Sequence, residues 1–190
     1  MEQMIDYILQ FGQLNQQQID LIKNKAAVKH IKKDEYYHEA GKITSEVIFL
    51  IEGIMRICYY NNKGDEITKY FFDENHFIAD MNSLNLAIPA VEYIQAVTDC
   101  RYISLSKTAL NELSMTIIGW DAIVAKMTAR GMTDKVNRIS PMMADTARER
   151  YLRFFTNFPK LANRIPLSYL ASYLGITQSS LSRIRRSIRL

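Results

Sequence analysis

The chain contains few of the residue types from which metal, redox and hydrolytic sites are built. Its two cysteines, Cys58 and Cys100, lie far apart in strand-like segments, so we expect buried thiols rather than a disulfide framework or a metal site. The three histidines lack ligand spacing and have no cysteine or carboxylate partners in a ligand pattern. Nucleophile-elbow, Walker-loop and dinucleotide-binding motifs are missing. We therefore expect no enzymatic activity and identify no metal or cofactor.

Long apolar runs are also missing. None approaches the roughly 18 residues that a membrane span requires, and the N-terminus lacks a basic segment followed by an apolar one. A hydrophobic content of 48% with 23% charged residues is ordinary for a globular protein. These features predict a cytoplasmic protein with no membrane partner.

Charge is distributed unevenly along the chain. Residues 145–190 contain nine Lys and Arg against two Asp and Glu, which gives +7. Residues 1–144 contain fifteen against eighteen, which gives −3. A basic C-terminal segment on an otherwise slightly acidic chain indicates a polyanionic partner there.

The basic segment has the pattern of two short helices around a turn. Pro166 suits the first turn of a helix, and Gly175 suits its left-handed exit. Thr177 can cap the next helix with its hydroxyl. Apolar residues at helical spacing mark one buried face on each helix: Leu167, Leu170, Ala171 and Leu174 on the first, and Leu181, Ile184 and Ile188 on the second.

The opposite face of the second helix carries Ser179, Ser182, Arg183 and Arg186. Hydroxyl and guanidinium groups can donate to base edges and phosphates in a major groove, so this spacing predicts a helix-turn-helix. A helical hairpin with a merely solvated basic face is the alternative. Under it, the protein would be a sensor or adaptor whose basic tail binds acidic surfaces without reading sequence.

The middle of the chain predicts strands. Residues 4–27 have helical spacing, but the next hundred residues form short segments rich in β-branched and aromatic side chains. Asn61 to Asp65 favours a tight turn between antiparallel strands. We expect a small barrel or roll built from Val47–Ile51, Ile54–Tyr60, Glu66–Phe72, Tyr93–Val97 and Arg101–Leu105.

A long helix is predicted for residues 107–139, ended by Pro141, with a further helix over Asp145–Phe155. Part of the apolar stripe of the long helix is expected to contact a second copy of the chain. The alternative is a helix that lies on its own β-unit. The candidate dimerisation residues are Trp120, Ile123, Val124, Met127 and Gly131.

The order of these parts resembles the Crp/Fnr family of bacterial transcription regulators, from about residue 20 onward. The resemblance rests on VIFLIEGIMRICYY (residues 47–60), the hairpin that follows it, Gly53, Arg56, Gly175 and the Ser182-Arg183-Ile184 sequence. It implies an α+β fold: an N-terminal antiparallel, jelly-roll-like β-roll of the cyclic nucleotide-binding type, a long dimerisation helix, and a C-terminal helix-turn-helix lacking most of the family's wing. The implied divisions are residues 1–112, 113–144 and 145–190.

The resemblance also implies partners and site residues. The partners are double-stranded DNA, a second copy of the chain, and RNA polymerase. Arg183 takes the position of the family's guanine-reading arginine, with Gln178 and Ser179 beside it. The candidate DNA-contacting residues are Ser168, Thr177, Gln178, Ser179, Ser182, Arg183 and Arg186.

The effector site departs from the family's pattern. Members that bind cyclic AMP have a Phe-Gly-Glu cassette followed by an Arg-Ser pair that neutralises the phosphate. Here the matching segments are Phe77 to Asp80 and Ala90 to Glu92, so an anion would meet Glu92 and no cation. We expect no cyclic AMP binding in the family's manner, and a different small-molecule effector, a protein signal or constitutive activity stay open. The candidate pocket residues are Tyr70, Phe72, Phe77, Ala79, Asp80, Ala90, Val91 and Glu92.

Overall fold

The computed structural model describes residues 1–161 and 163–188. The helices in these ranges are α1 (Glu2–Leu9), α2 (Gln16–Lys25), α3 (Met81–Leu86), α4 (Lys107–Thr116), α5 (Trp120–Ile139), α6 (Ala147–Asn157), α7 (Leu167–Leu174) and α8 (Gln178–Ile188). The strands are β1 (Ala27–Ile31), β2 (Tyr36–His38), β3 (Glu46–Glu52), β4 (Met55–Tyr60), β5 (Glu66–Phe72), β6 (His76–Ile78), β7 (Tyr93–Ala96) and β8 (Cys100–Ser106). None of these helices is long and apolar enough to cross a membrane.

The predicted β-unit consists of two four-stranded antiparallel sheets, ordered β1-β8-β3-β6 and β2-β7-β4-β5. Alternate side chains of β3 are buried on opposite faces, as the two-residue period of a strand requires. Ile48 and Leu50 belong to the cluster that includes the other sheet. Phe49 and Ile51 belong to the cluster formed with α1, α2, α4 and the start of α5. The first sheet is therefore covered on both faces.

The β4–β5 hairpin pairs antiparallel around the predicted turn, with Tyr60 opposite Glu66 and Met55 opposite Phe72. Its register shifts once, because Ile57 pairs with Tyr70 while Cys58 pairs with Thr68. Lys69 thus has no partner on β4. Such a β-bulge changes the direction in which neighbouring side chains point.

The helical spacing of residues 4–27 corresponds to two helices, since Asn15 caps α2 through a reciprocal capping box, and residues 27–31 instead pair with β8. One helix prediction is corrected. The predicted helix over 107–139 is broken between α4 and α5, where Gly119 has φ +84°. A left-handed residue cannot continue a right-handed helix. A 3₁₀ turn over Ser140–Met143, which contains Pro141, ends α5 as expected.

The C-terminal helices share a core with the second sheet. Phe71 of β5 packs against Phe154 of α6 and Tyr173 of α7, with ring centroids 6.1 and 5.4 Å apart. Leu170, Leu174 and Leu181 are buried in the same cluster as these aromatic residues. This packing fixes the orientation of α7 and α8 on the roll.

Candidate nucleic-acid interface and ligand cavity

Helices α7 and α8 are joined by a tight turn. Gly175 adopts φ +66°, and its N–H bonds to carbonyl groups at the end of α7. Thr177 Oγ1 accepts the backbone N–H of Ser180 at 3.2 Å and caps α8. Leu181 is fully buried, so the apolar side of α8 faces the protein.

The outer face of α8 is basic, hydroxyl-rich and accessible. Arg183 and Arg186 are exposed, and within residues 1–161 and 163–188 no carboxylate lies within ion-pair distance of either. Thr177 Oγ1 lies 2.9 Å from the hydroxyl of Ser179, which is also exposed. The remaining candidates are Ser168 and Gln178, which are exposed, and Ser182, which is half-buried. Arg189, which follows α8 and adds to the basic charge of this segment, lies outside the described residues.

A buried arginine links the roll to α7. Arg56 of β4 is 1% exposed. Its Nε and Nη2 donate to Gln95 Oε1 at 2.9 and 2.6 Å, its Nη1 donates to Thr68 Oγ1 at 2.8 Å, and Glu66 pairs with its charge. Its guanidinium carbon lies 3.5 Å from the ring centroid of Tyr169 on α7. Hydrogen bonds, an ion pair and a cation–π contact thus converge on this side chain.

Helix α7 also contacts the edge strand β5 directly. The N–H of Thr68 donates to Ser172 Oγ at 2.8 Å, and that hydroxyl lies 3.2 Å from the carbonyl of Glu66. Strand β5 is the last strand of its sheet, so its outer edge needs partners. Ser172 supplies them and covers part of the edge.

A cavity of about 1040 Å³ lies between the roll and α5. Seven of the eight candidate pocket residues line it, and Ala90 does not. Ala90 is buried, and its N–H donates to the carbonyl of Lys42 at 2.9 Å. The seven are Tyr70, Phe72, Phe77, Ala79, Asp80, Val91 and Glu92.

The expectation that an anion would meet no cation in this cavity is wrong. Lys69 and Lys135 both line it, and Lys69 forms an ion pair with Glu92. Burial and the positive charge of Lys69 lower the pKa of Lys135. Sequence spacing did not reveal Lys69 because the β-bulge lets it and its neighbour Tyr70 line the same cavity. Lys135 is brought in from a different element, α5.

The segment that matches the phosphate cassette contains a carboxylate that caps a helix. Asp80 caps the six-residue helix α3, and its Oδ1 accepts the N–H of Ser83 at 3.0 Å. A carboxylate is also present in the Phe-Gly-Glu cassette of the cyclic AMP binders, so Asp80 by itself does not argue against a bound phosphate.

Asp73 and His76 form an ion pair at the edge of the cavity, with Nδ1 of His76 3.2 Å from Asp73 Oδ1. Burial alone would lower the pKa of His76, but the nearby Asp73 carboxylate and the Asp73 backbone carbonyl, which lies 3.0 Å from Nδ1, outweigh it and raise that pKa. Burial likewise acts to raise the pKa of the Asp73 carboxyl, and His76 reverses the effect and lowers it. Each partner therefore favours the charged form of the other.

This pair predicts a pH-dependent stability. A raised folded-state pKa means that the His76 contribution is complete below about pH 6.5 and is lost as the pH rises through the folded value. The Asp73 contribution is lost at the other extreme, as the pH falls below about 3.8. The free energy of unfolding of the wild type, measured in urea, should fall between pH 6 and 8.5. His76→Gln should reduce this dependence on pH. His30→Gln, on the exposed strand β1, is the matched control; an unchanged slope in His76→Gln would contradict the assignment.

The predicted dimerisation residues need correction. Trp120 and Ile123 are only 3% and 5% exposed and belong to the chain's own core, with Val124 and Met127 packed against it. Gly131 is exposed and lines the cavity. For this stripe the alternative is right: the helix lies on its own β-unit. Trp120 and Ile123 have no surface left for a second copy.

Another face of α5 is apolar and mostly exposed, and the candidate dimerisation residues do not include it. Its members are spaced 3, 4, 3, 4 and 3 residues apart, the period of a coiled-coil interface. Met132 is 65% and Val136 is 60% exposed. We call this set the α5 seam: Ala122, Ala125, Ala129, Met132, Val136 and Ile139.

Comparisons with known proteins agree with this architecture. Residues 28–116 match the family model of the cyclic nucleotide-binding domain, whereas no curated protein sequence matches the chain. Among solved structures, FixK2 from Bradyrhizobium japonicum is similar with a TM-score of 0.74 and 16% identity, over 86% of this chain and 84% of that one.

Two further solved structures are similar. The c-di-GMP responsive global regulator CLP from Xanthomonas campestris has a TM-score of 0.70 and 15% identity, over 92% of each chain. The catabolite activator protein from Thermus thermophilus has a TM-score of 0.57 and 16% identity, over 94% of this chain and 85% of that one. At these identities the similarity shows the fold. The chain has a cyclic nucleotide-binding domain fold followed by helices, as in Crp/Fnr regulators.

Proposed function

We propose that this protein is a transcription regulator that binds DNA as a homodimer and reads a near-palindromic site. In this proposal α7 and α8 form a helix-turn-helix, and two copies of α8 enter successive major grooves about 34 Å apart. The observation that carries it is the exposure of Arg183 and Arg186 on the side of α8 opposite the buried Leu181.

The charge distribution supports this reading. The +7 of residues 145–190 coincides with the module that exposes the α8 face, whereas the rest of the chain is slightly acidic. Neutralising DNA phosphates releases counterions, so such a module gains affinity at low salt. Serine and threonine hydroxyls beside the arginines add donors and acceptors for base edges and phosphates.

The homodimer is supported by the α5 seam. Exposed methionine and valine side chains in a heptad pattern are unfavourable in water and are typical of a helix that packs against a copy of itself. In a parallel pair, Asp121 and Lys126 of opposite chains occupy complementary flanking positions. The small residues Ala122, Ala125 and Ala129 permit a close helix approach.

We further propose that the protein does not bind cyclic AMP in the family's manner. The presence of Lys69 and Lys135 removes one argument for this, but another remains, because the segment Ala90 to Glu92 lacks the Arg-Ser pair. Micromolar cyclic AMP binding in calorimetry would contradict this part of the proposal.

The test of base reading is Arg183→Ala. In vitro selection of DNA sites by the wild-type protein should return two related half-sites. The variant should lose about 1–3 kcal/mol of binding free energy to that site and relax its preference at one base pair per half-site. Arg148→Ala is the matched control, since it removes an equal charge from exposed Arg148 on α6.

An unchanged selected motif in Arg183→Ala would show that α8 is not docked as proposed. The dependence of DNA binding on salt concentration distinguishes the regulator from the adaptor alternative. A groove-reading protein keeps its preference among sequences between 50 and 200 mM salt while its overall affinity falls, whereas nonspecific attraction shows no preference at any concentration.

A further inference from the structure

The wall of the cavity formed by β5 and α5 carries two cations for one nearby carboxylate. Glu92 pairs with Lys69, which leaves Lys135 without an acidic partner among the described residues. The Nζ of Lys135 lies 5.8 Å from the ring centroid of Tyr70, and its side chain is half-buried. Burial and the charge of Lys69 lower the pKa of Lys135, and the Glu92 carboxylate offsets this only in part.

The other acidic groups of the cavity are engaged elsewhere. Asp134 accepts both of its bonds from Arg130, at 3.1 and 3.0 Å. Asp121 accepts the hydroxyl of Ser114 at 2.6 Å, and Asp80 caps α3. None of these carboxylates is paired with Lys135 in the described structure.

The cavity beside the two lysines is apolar and aromatic. Tyr70 and Phe72 stack edge to face with centroids 5.0 Å apart, and Ile57 and Ile94 also line the space. A volume of about 1040 Å³ lies at the upper end of the range of roughly 300–1000 Å³ for small-molecule sites. Apolar surface beside polar groups that fix the orientation of a ligand is typical of such sites.

We propose that this cavity binds a small organic anion with an aromatic or apolar body, whose acidic group lies between Lys69 and Lys135. The acidic group compensates the unpaired Lys135, and the body covers Tyr70 and Phe72. A carboxylate and a phosphate share this chemistry, and the test below distinguishes them.

The position of the site connects it to the DNA-contacting module. Lys69 is adjacent to Thr68, whose N–H donates to Ser172 of α7, and Lys135 is adjacent to Val136 of the α5 seam. An anion held by both lysines would therefore contact β5, which helps to position α7, and α5, which carries the proposed contact with the second copy. The role of this ligand as an effector rests on the proposed function. Its binding does not, so binding is measured without DNA.

The experiment is calorimetry on the full chain with three probes: naphthalene-2-carboxylate, its neutral carboxamide, and cyclic AMP. We expect the carboxylate to bind at least about tenfold more tightly than the carboxamide, because a hydrogen bond to a charged group contributes about 1.5–3 kcal/mol. Lys135→Met and Lys69→Met should each weaken carboxylate binding by a similar factor. Lys63→Met, in the exposed β4–β5 turn, should leave it unchanged.

Equal binding of carboxylate and carboxamide would overturn the proposal, as would wild-type affinity in Lys135→Met, or no binding of any probe at millimolar concentration. Cyclic AMP bound in preference, and lost in Lys135→Met, would assign the anion as a cyclic phosphate; the site would stand and cyclic AMP independence would fall. Thermal unfolding of each variant checks that it is folded. Site selection on DNA tests the regulator proposal separately.

Discussion

Replacing Arg56 with methionine should lower the free energy of unfolding by about 3–5 kcal/mol, the range for breaking a buried ion pair by removing one partner. Methionine fills much of the same volume but donates no hydrogen bond. Gln95 Oε1 would lose two charged donors, Thr68 would lose one, and Glu66 would remain without its counter-charge. Urea denaturation measures the change.

The matched control is Arg101→Met. Arg101 also lies on a strand and pairs with a glutamate, Glu52, at 3.5 Å, but the two side chains are 48% and 69% exposed. Such surface pairs contribute at most about 1 kcal/mol. If Arg56→Met unfolds at the same urea concentration as Arg101→Met, the buried cluster does not stabilise the protein as argued.

Loss of Arg56 should also loosen α7 from the roll. Its guanidinium contacts Tyr169 at 3.5 Å, so the variant loses a cation–π contact between the β-sheet and the helix pair. Tyr169→Leu removes this contact while leaving the charge cluster in place, and should cost no more than about 2 kcal/mol. Proteolysis of the segment between α5 and α6 should accelerate in Arg56→Met more than in Tyr169→Leu.

The Arg56 cluster illustrates what sequence patterns do not provide. The residue is part of the sequence on which the resemblance to the Crp/Fnr family rests, but its partners lie 10, 12, 39 and 113 positions away in the chain. No periodicity relates these positions, because they meet through strand pairing and helix packing. Lys69 and Lys135 converge on the cavity in the same way.

Local chemistry, by contrast, predicted several elements closely. The Asn61 to Asp65 turn placed β5 at Glu66–Phe72, which are its observed bounds. Thr177 predicted the start of α8, and Gly175 its left-handed turn. These features depend on backbone conformations that only a few residue types favour, so the sequence specifies them locally.

The errors arose where tertiary contacts outweigh local preference. Strand β1 is recruited by pairing with β8, and three-residue β6 is too short for its alternation to be recognised. On α5 the larger apolar residues were assigned to the dimer because they dominate the stripe. The stripe around Trp120 is instead buried in the chain's own core, whereas the exposed α5 seam carries Met132 and Val136 after its three alanines.

Replacing Val136 with glutamate should dissociate the proposed dimer. In a parallel two-fold pair, the same position of both chains meets at the α5 seam, so two carboxylates would oppose each other in an apolar contact. A cost of about 3 kcal/mol corresponds to a loss of roughly a hundredfold in dimer affinity. Analytical ultracentrifugation should show a shift from the mass of two chains to the mass of one.

Two control variants test whether the effect of Val136→Glu is specific to the α5 seam. Asn137→Glu places the same charge on the next residue, which is exposed and off the seam, and should remain dimeric. Ile123→Ala should lower the free energy of unfolding by about 2–5 kcal/mol without dissociating the dimer, because Ile123 is buried in its own chain.

The same variants separate dimerisation from DNA contact. Val136→Glu leaves the α8 face intact, so a single half-site should still be bound with monomer affinity, while affinity for the full near-palindromic site should fall by at least tenfold through loss of the second contact. If Val136→Glu stays dimeric, or if Ile123→Ala becomes monomeric, the dimer interface would instead be the stripe around Trp120. In that case the core position of Trp120 and Ile123 would have to open before two chains could meet.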